Sequence, residues 1–592
     1  MRAVGLALLL AVIVALVYRE APGNQFHFDD YHNIVDYGPV RMAQPSPAAL
    51  LEAFTNPRLS HRNLASLTFA IDWWRGGGEP RPFLQTNVLL HVLATLAVFL
   101  FARQVLLRWR TDDPGIVLLA AFGAALLWAL HPINSQAVNL IVQRMTILAT
   151  LFVLLSLSCY LAGRSAQSPR AIAWFAAAGL FGVLGAMSKE NAWILPLLVL
   201  AVEYGVVRHG QALVRNRMDT LLLSLPCIAA ALVVLDLASG SGPISRTFLS
   251  GYEFRSFTME ERLLTQPRVI FFYLSLLLWP LPGRFSLEHD FAVSTALTSP
   301  PATILSLLAL TVVLLAAVYL FLRPKTRLPG FLLLWPALTL AIESSFVPLE
   351  MVFEHRMYLP SVGLALLAGA AWIAVRDRRP AYAKAFAALV AVIALGLALS
   401  TVERTKLWQE PLVLNEDAVK KAPNSSRAWS NLGMHRYLSG DQAGAIVALE
   451  KAIELSGGKE GKALEHLGVI HLDLGNLDRA GDLVERAYRM QWEKPEPSLL
   501  NHMGEVELAR KRFASAAVYF ERAIRIAPWK SAYYWNIALA YEGLGQCSLA
   551  LQNWRKYLVH EPDPESRREV EQHIRENHRG GQRDCGEALR QR

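Results

Sequence analysis

Charge is scarce in this sequence. Asp, Glu, Lys and Arg make up 18% of its 592 residues, against about 25% in ordinary soluble domains. With 53% hydrophobic residues and a mean hydropathy of +0.29, that shortage argues against a cytosolic enzyme and against a disordered scaffold. Cysteine is scarcer still. There are four, none in a CxxC or Cys/His cluster, so neither a disulfide framework nor a metal site is indicated. Phosphate-binding glycine loops and dinucleotide fingerprints are absent too, which removes the usual nucleotide chemistries. The net charge of +9 does not point to nucleic acid. Much of the excess sits in short loops between apolar runs, as in an integral membrane protein.

What the sequence has is apolar length. Segments of about 17–25 residues suited to crossing a bilayer as helices lie at 3–18, 84–107, 115–131, 145–162, 170–187, 191–207, 218–238, 266–282, 301–322, 330–347, 357–375 and 381–402. The first ends at Tyr18-Arg19-Glu20 without a small-x-small cleavage site and reads as an uncleaved span. Basic loops set the orientation. Arg103, Arg108 and Arg110; Arg164 and Arg170; and Arg208, Arg215 and Arg217 alternate regularly. Arg323, Lys325 and Arg327, then Arg376, Arg378 and Arg379, want the same inner side. They reach it only if one segment between 218 and 301 fails to cross. Segment 266–282, bounded by Pro267, Pro280 and Pro282, is the weakest and reads as re-entrant or interfacial. About eleven spans remain, and the polar C-terminal third falls outside.

Polar residues then gather at the outer ends of the spans. They are Asp29-Asp30, His61-Arg62 at the head of an amphipathic stretch from Ser60 to Trp74, Asn87 and His91, His131, Gln143-Arg144, Ser188-Lys189-Glu190, Glu350, and Glu354-His355-Arg356-Met357-Tyr358. Each has an ordinary alternative: a solvated acid pair, a snorkelling cation, a core histidine. Their convergence on one surface is the argument for a site, because charge at membrane depth is costly. A carboxylate with several cations suits one chemistry well. Arg and Lys bind the phosphate of a lipid-linked sugar and stabilise its departure. One carboxylate base deprotonates the acceptor hydroxyl.

Phe28-Asp29-Asp30, Arg62 to Phe69, Thr86 to His91, His131-Pro132 with Gln143-Arg144-Met145-Thr146, Ser188-Lys189-Glu190 and Glu354 to Ser361 occur in order. The set resembles the transmembrane and tetratricopeptide repeat-containing family, which looks like protein O-mannosyltransferases of the GT-C fold. Asn63 stands where relatives usually show Pro. The resemblance implies a polyprenyl-phosphate sugar donor, mannose as the sugar, and a protein hydroxyl as acceptor. It also implies Asp29 as base and Asp30 as its companion. Arg144, Lys189, Arg356 and Arg62 are the expected phosphate binders. Glu190, Glu354, His355, Tyr358 and His91 are expected to support them. No cofactor is required, though a divalent metal is compatible.

The C-terminal third repeats at a period of about 34 residues. Trp429, Gly433, Ala445 and Ala452 open the series. Gly468, Ala480 and Ala487 follow, then Gly504, Ala516, Phe520 and Ala523, then Tyr534, Ala538, Ala550 and Pro562. These are tetratricopeptide repeats, and such repeats bind peptides or proteins.

The chain is therefore expected to be all-α: a polytopic GT-C-like domain over 1–402, a half-repeat at 403–424, four repeats over 425–563, and a capping helix and tail over 564–592. A bacterial inner-membrane glycosyltransferase with its repeats on the periplasmic side, using membrane lipid and a protein acceptor but no nucleic acid, is the leading reading. An inactive repeat scaffold for envelope assembly, or a transferase acting on lipid or polysaccharide, is the alternative. Whether Cys547 and Cys585 pair is left open.

Overall fold

A computed structural model of the chain describes residues 1–58, 61–109, 113–208, 211–214, 217–240, 242, 246, 250–491, 494–561, 563–577 and 585. Arg110, Arg215, Pro562 and the tail apart from Cys585 lie outside the described residues. Among those described, the chain is helical, with no strand beyond an isolated bridge between Ala296 and Ser299. Two compact units divide it: Met1–Val35 with Pro39–Pro411, and Asp36–Gly38 with Leu412–Arg592. The division falls at 411, not 402, because the last long helix of the first unit is continuous from Pro380 to Leu407.

The first unit contains α1 (Arg2–Val17), α2 (Pro47–Thr55), α3 (Asn63–Gly76), α4 (Pro80–Trp109), α5 (Pro114–Ala129), α6 (Ser135–Asn139), α7 (Arg144–Ser165), α8 (Arg170–Ala186), α9 (Leu195–Val202), α10 (Arg217–Ser239), α11 (Met259–Leu278), α12 (Ala302–Leu322), α13 (Arg327–Leu340), α14 (Pro360–Arg378) and α15 (Pro380–Leu407). Their ends are written in the sequence. Ser46 caps α2 through Ala49 N–H at 3.1 Å. Asp113 caps α5 through Gly115 N–H at 2.9 Å. Pro132 holds His131 extended and stops α5, so α5 and the segment after it meet at 55°. Thr258 and Glu261 form a reciprocal capping box on α11.

Among the described residues, seven helices are long and apolar enough to cross a membrane, or eight if the bent pair is one span. All of these coincide with segments expected to cross. Helices α8, α13 and α14 are 17, 14 and 19 residues long and fall outside that set. The stretch expected at 266–282 is α11, which also stands outside it and opens with Glu260, Glu261 and Arg262. The main core joins residues of α1, α4, α5, α7, α13 and α14, with Phe101, Trp128 and Trp335 buried in it. Outward faces carry Leu232, Val234, Val312 and Leu395, all well exposed. An apolar exterior over a packed interior is what lipid requires.

The first unit has two chemically different ends. At one, Arg108 donates to Leu161 O and Ser165 Oγ. Arg164 and Arg208 both grip Glu203 at 2.9 Å. Arg327 donates to Arg208 O at 2.9 Å, and Arg376 lies 3.6 Å from Asp113. The basic loops therefore come together. The opposite ends of the same helices carry the polar residues singled out above. Helix α11 belongs with that second end: Arg262 donates to Ser345 O and Glu343 O, and Tyr273 Oη accepts from Phe353 N–H.

At the start of the second unit, α16 (Pro411–Lys421) occupies the part of the chain expected as a half-repeat at 403–424. Four helix pairs follow: α17 (Ser426–Leu438) with α18 (Gln442–Leu455), α19 (Gly461–Asp473) with α20 (Leu477–Met490), α21 (Pro497–Ala509) with α22 (Phe513–Ile526), and α23 (Ser531–Gly543) with α24 (Cys547–His560). The polar α25 (Pro564–Asn577) closes the series. Small residues let each pair approach. A Cβ on Gly468 would sit 2.5 Å from Val484 Cγ2 and 3.3 Å from Ala480 O. Cys547 and Cys585 are joined as a disulfide, with Cα atoms 5.6 Å apart. Cys159 and Cys227 are free thiols.

Candidate active site

The acid pair sits in the loop after α1. Phe28 adopts a left-handed backbone, φ 50°, uncommon for a bulky residue. This bend sends the two neighbouring carboxylates opposite ways. Asp30 is fully buried, accepting from His27 N–H at 3.0 Å and from Val142 N–H at 2.7 Å. Burial nevertheless pushes its carboxyl up to about 7. Asp29 is exposed, and its carbonyl accepts from Asn33 Nδ2 at 2.7 Å. The loop is anchored on both flanks. Asn24 donates to Asn139 Oδ1 at 2.9 Å, and His27 Nε2 bonds Trp408 O at 2.9 Å.

Residues 142–146 form the hub. Val142 holds Asp30. Arg62 reaches Met145 Sδ and clasps Glu190 through Nε and Nη2 at 2.9–3.1 Å. Lys189 donates to Thr146 Oγ1 at 3.1 Å and to Glu343 Oε1 at 2.7 Å, and Thr146 in turn bonds Gln143. Segments distant in sequence thus meet on one short stretch.

Arg144 points elsewhere. It is fully buried, 2.6 Å from Asp72 Oδ2, donating to Asn87 Oδ1 and Phe83 O at 2.8 Å, with Phe69 against its guanidinium at 4.8 Å. It ties α3 to α4 and is already engaged by the protein. Arg356 differs. It is only 4% exposed, donates to Met351 O at 3.1 Å and covers the Phe353 ring at 5.4 Å. Among the described residues no carboxylate pairs with it. Lys189 lies in the field of both Arg62 and Arg356. Beside them His355 is held well below the usual imidazole range, first by burial and then by Lys189, Arg356 and Arg62. It is neutral, with Nδ1 and its N–H on Gln136 Oε1 at 3.0 and 2.9 Å.

The remaining supporting residues go to two other places. Glu354 is buried, accepting from Ser286 N–H at 2.7 Å and bonding His289 Nε2 at 3.0 Å, with Arg404 3.8 Å away. His91 and Tyr358 hydrogen-bond each other at 2.6 Å inside a cluster with Tyr18 and Trp128. His131 spends both ring nitrogens on backbone partners, Leu277 O and Ile133 N–H. Glu350 pairs with Arg255.

Two acids escaped the sequence reading. Asp72 lies within the amphipathic stretch and was not singled out there; it also lies 2.7 Å from Arg75. Glu343 interrupts the apolar run 330–347, and a lone acid there is itself a signal.

A tetratricopeptide repeat family model matches residues 448–495 and 467–529. Over 457 residues the chain is 22% identical to a Caenorhabditis elegans protein O-mannosyl-transferase, covering 72% of this chain and 59% of the relative. It is 26% identical to the human protein O-mannosyl-transferase TMTC4 over 501 residues, 74% of this chain and 65% of the relative. It is 28% identical to human TMTC2 over 247 residues, 40% and 28% respectively. The matched regions thus cover less than two thirds of each of these relatives. Among solved structures, MamA shares 24% identity over 25% of this chain and 85% of its own, with a TM-score of 0.22.

Proposed function

We propose that the chain is a membrane glycosyltransferase that moves a sugar from a polyprenyl-phosphate donor to a hydroxyl of a protein acceptor. Mannose is the sugar favoured by the likeness to protein O-mannosyl-transferases. The observation that carries the reading is Arg356: a nearly buried guanidinium with no carboxylate, beside Lys189, Arg62 and a neutral His355. Glu190 and Glu343 balance the first two cations, so a positive charge is left over where an anionic head group would dock. A buried charge without a partner is costly unless a ligand supplies the partner. Lys189, Arg356 and Arg62 would hold the phosphate. Arg144 would brace α3 and α4 behind them.

Transfer proceeds by a single displacement. The acceptor oxygen attacks the anomeric carbon, and the bond from that carbon to the phosphate oxygen breaks. The lipid phosphate leaves as an anion among the cations, and the acceptor proton passes to Asp29. Configuration at the anomeric carbon inverts. A phosphate leaving group needs little protonation, so one base suffices and no cofactor is called for. Eleven passes satisfy the gathered basic loops, with α11 lying at the site's end of the bundle. The positive-inside rule supports a site on the outer face of the membrane. A disulfide in the repeat unit suits an oxidising compartment. The repeats would recruit the acceptor.

The test is transfer of labelled mannose from a polyprenyl-phosphate donor to envelope proteins by the purified full chain in vesicles. Asp29→Asn should lose about 10²–10⁴-fold while inserting and accumulating like the wild type. Equal transfer by Asp29→Asn would remove it as the base. Unchanged envelope glycans in a strain lacking the protein would favour the scaffold reading instead.

A further inference from the structure

Helix α13 ends at Leu340, and a loop runs from there to the turn that opens at Glu354. That loop holds two of the cations assigned to the donor phosphate. The Glu343 carboxylate lies 2.7 Å from Lys189 Nζ, and Met351 O accepts from Arg356 Nη1 at 3.1 Å. Carbonyls beyond a helix end have no donor from their own helix. Here one side chain serves four of them. Arg262, in the first turn of α11, donates through Nη2 to Glu343 O at 2.7 Å and through Nε to Ser345 O at 2.9 Å. Its Nη1 donates to Leu349 O, and to Glu350 O at 3.2 Å. Further along α11, Tyr273 Oη accepts from Phe353 N–H at 2.9 Å.

We propose that Arg262 is a positioning residue for the donor phosphate: it fixes the loop over 343–351 so that Glu343 aims Lys189, and Met351 aims Arg356, at one anion. The proposal rests on the transferase reading above. Glu343 is pinned twice, its carbonyl by Arg262 and its carboxylate by Lys189. Met351 follows directly on the two carbonyls that Arg262 Nη1 holds. The planar fork of a guanidinium reaches both ends of the loop at once, which the compact ammonium of a lysine does not. Arg262 is fully buried, and among the described residues no carboxylate pairs with it. The charges of Arg356 and Arg255 bear on it instead. A buried cation held by backbone carbonyls alone is a costly way to close a loop. Beside Arg356 it has a use, because its charge adds to the pull on an incoming phosphate while its donors stay on the loop.

Arg262→Lys is the decisive variant, since it keeps the charge and loses the fork. The probe is a short-chain polyprenyl phosphate, titrated calorimetrically into the purified full chain in nanodiscs. Its Kd should rise on the order of 10–100-fold, the scale of a misplaced binding group. In transfer assays the KM for the lipid donor should rise with it, while the KM for the acceptor stays put. A merely structural defect would instead leave fewer active molecules, lowering kcat with both KM values unchanged. The loss should also be smaller when Arg262→Lys is added to Arg356→Ala than when it is made in the wild type, because one of the cations it aims is then gone. Where Arg262→Lys does not accumulate, Arg262→Gln, which still donates to one end of the loop, takes its place with the same expectation. An unchanged Kd, a fall in kcat alone, no binding of the probe by the wild type, or failure of both variants to insert would each overturn the proposal. The expected rise in Kd in a protein that transfers no sugar would leave the positioning role standing and sink the transferase reading alone.

Discussion

Asp29 and Asp30 are neighbours with opposite work. Asp30 gives each carboxylate oxygen to a backbone N–H, joining the first loop to the hub. An amide offers one oxygen for two donors, so Asp30→Asn should leave one N–H unpaired and cost about 1–3 kcal/mol, read by thermal unfolding in detergent. Its pH signature has a definite sign. Burial raises the folded carboxyl to about 7 above an unfolded value of about 4. The stability it contributes is therefore full below about 4, lost as pH rises towards about 7, and constant above that. Asp30→Asn should lack that slope. The cations divide similarly. Asp72→Ala should strand Arg144 and cost about 3–5 kcal/mol, with poor accumulation. Arg356→Ala removes an unpaired charge, so it should accumulate normally but transfer about 10²–10³-fold more slowly. Arg356→Lys should recover part, since a point charge still attracts phosphate without the bidentate geometry.

Among elements, close packing depends on absent side chains. A Cβ on Gly330 would lie 2.3 Å from Phe321 N and 2.8 Å from Ala317 O, both backbone atoms of the α12 region. Nothing flexible can yield, so Gly330→Ala should prevent α12 and α13 from closing and should deplete the protein from membranes on immunoblots. Gly468 faces the side chain of Val484 instead. Its replacement by Leu should overpack that repeat by about 1–3 kcal/mol. Helix ends were legible because their causes are local: Ser46, Asp113, Pro132 and the Thr258–Glu261 box all act within one turn. Helix α2, with no long apolar run, was not anticipated. The Phe28 bend was illegible for a different reason, since a left-handed phenylalanine has no residue-type signature.

At the scale of the molecule, the gathered basic loops and the disulfide bear on sidedness. Cys547–Cys585 closes a loop of sequence separation 38, for which the chain-entropy model gives about 3–4 kcal/mol. Cys585→Ser should lower the stability of the second unit by up to that amount. A membrane-impermeant thiol reagent on intact cells should label the wild type only after reduction. Protection even after reduction would put the repeats inside and make the number of crossings wrong by one, most simply at α11.

Apolar run length, basic loop alternation and the 34-residue repeat are local or periodic properties, so the all-α class, the longest apolar segments and the repeat pairs could be read from the sequence by itself. The acids and cations of the site were visible because charge stands out in apolar surroundings. Which charge meets which was not. Arg144 on Asp72, Lys189 on Glu343, and Arg356 on no carboxylate are matters of three-dimensional proximity between segments up to 154 residues apart. The same holds for Arg262 on the carbonyls of the loop after α13. A residue's type announces that it can hydrogen-bond; only the packed structure decides whether a partner is within reach.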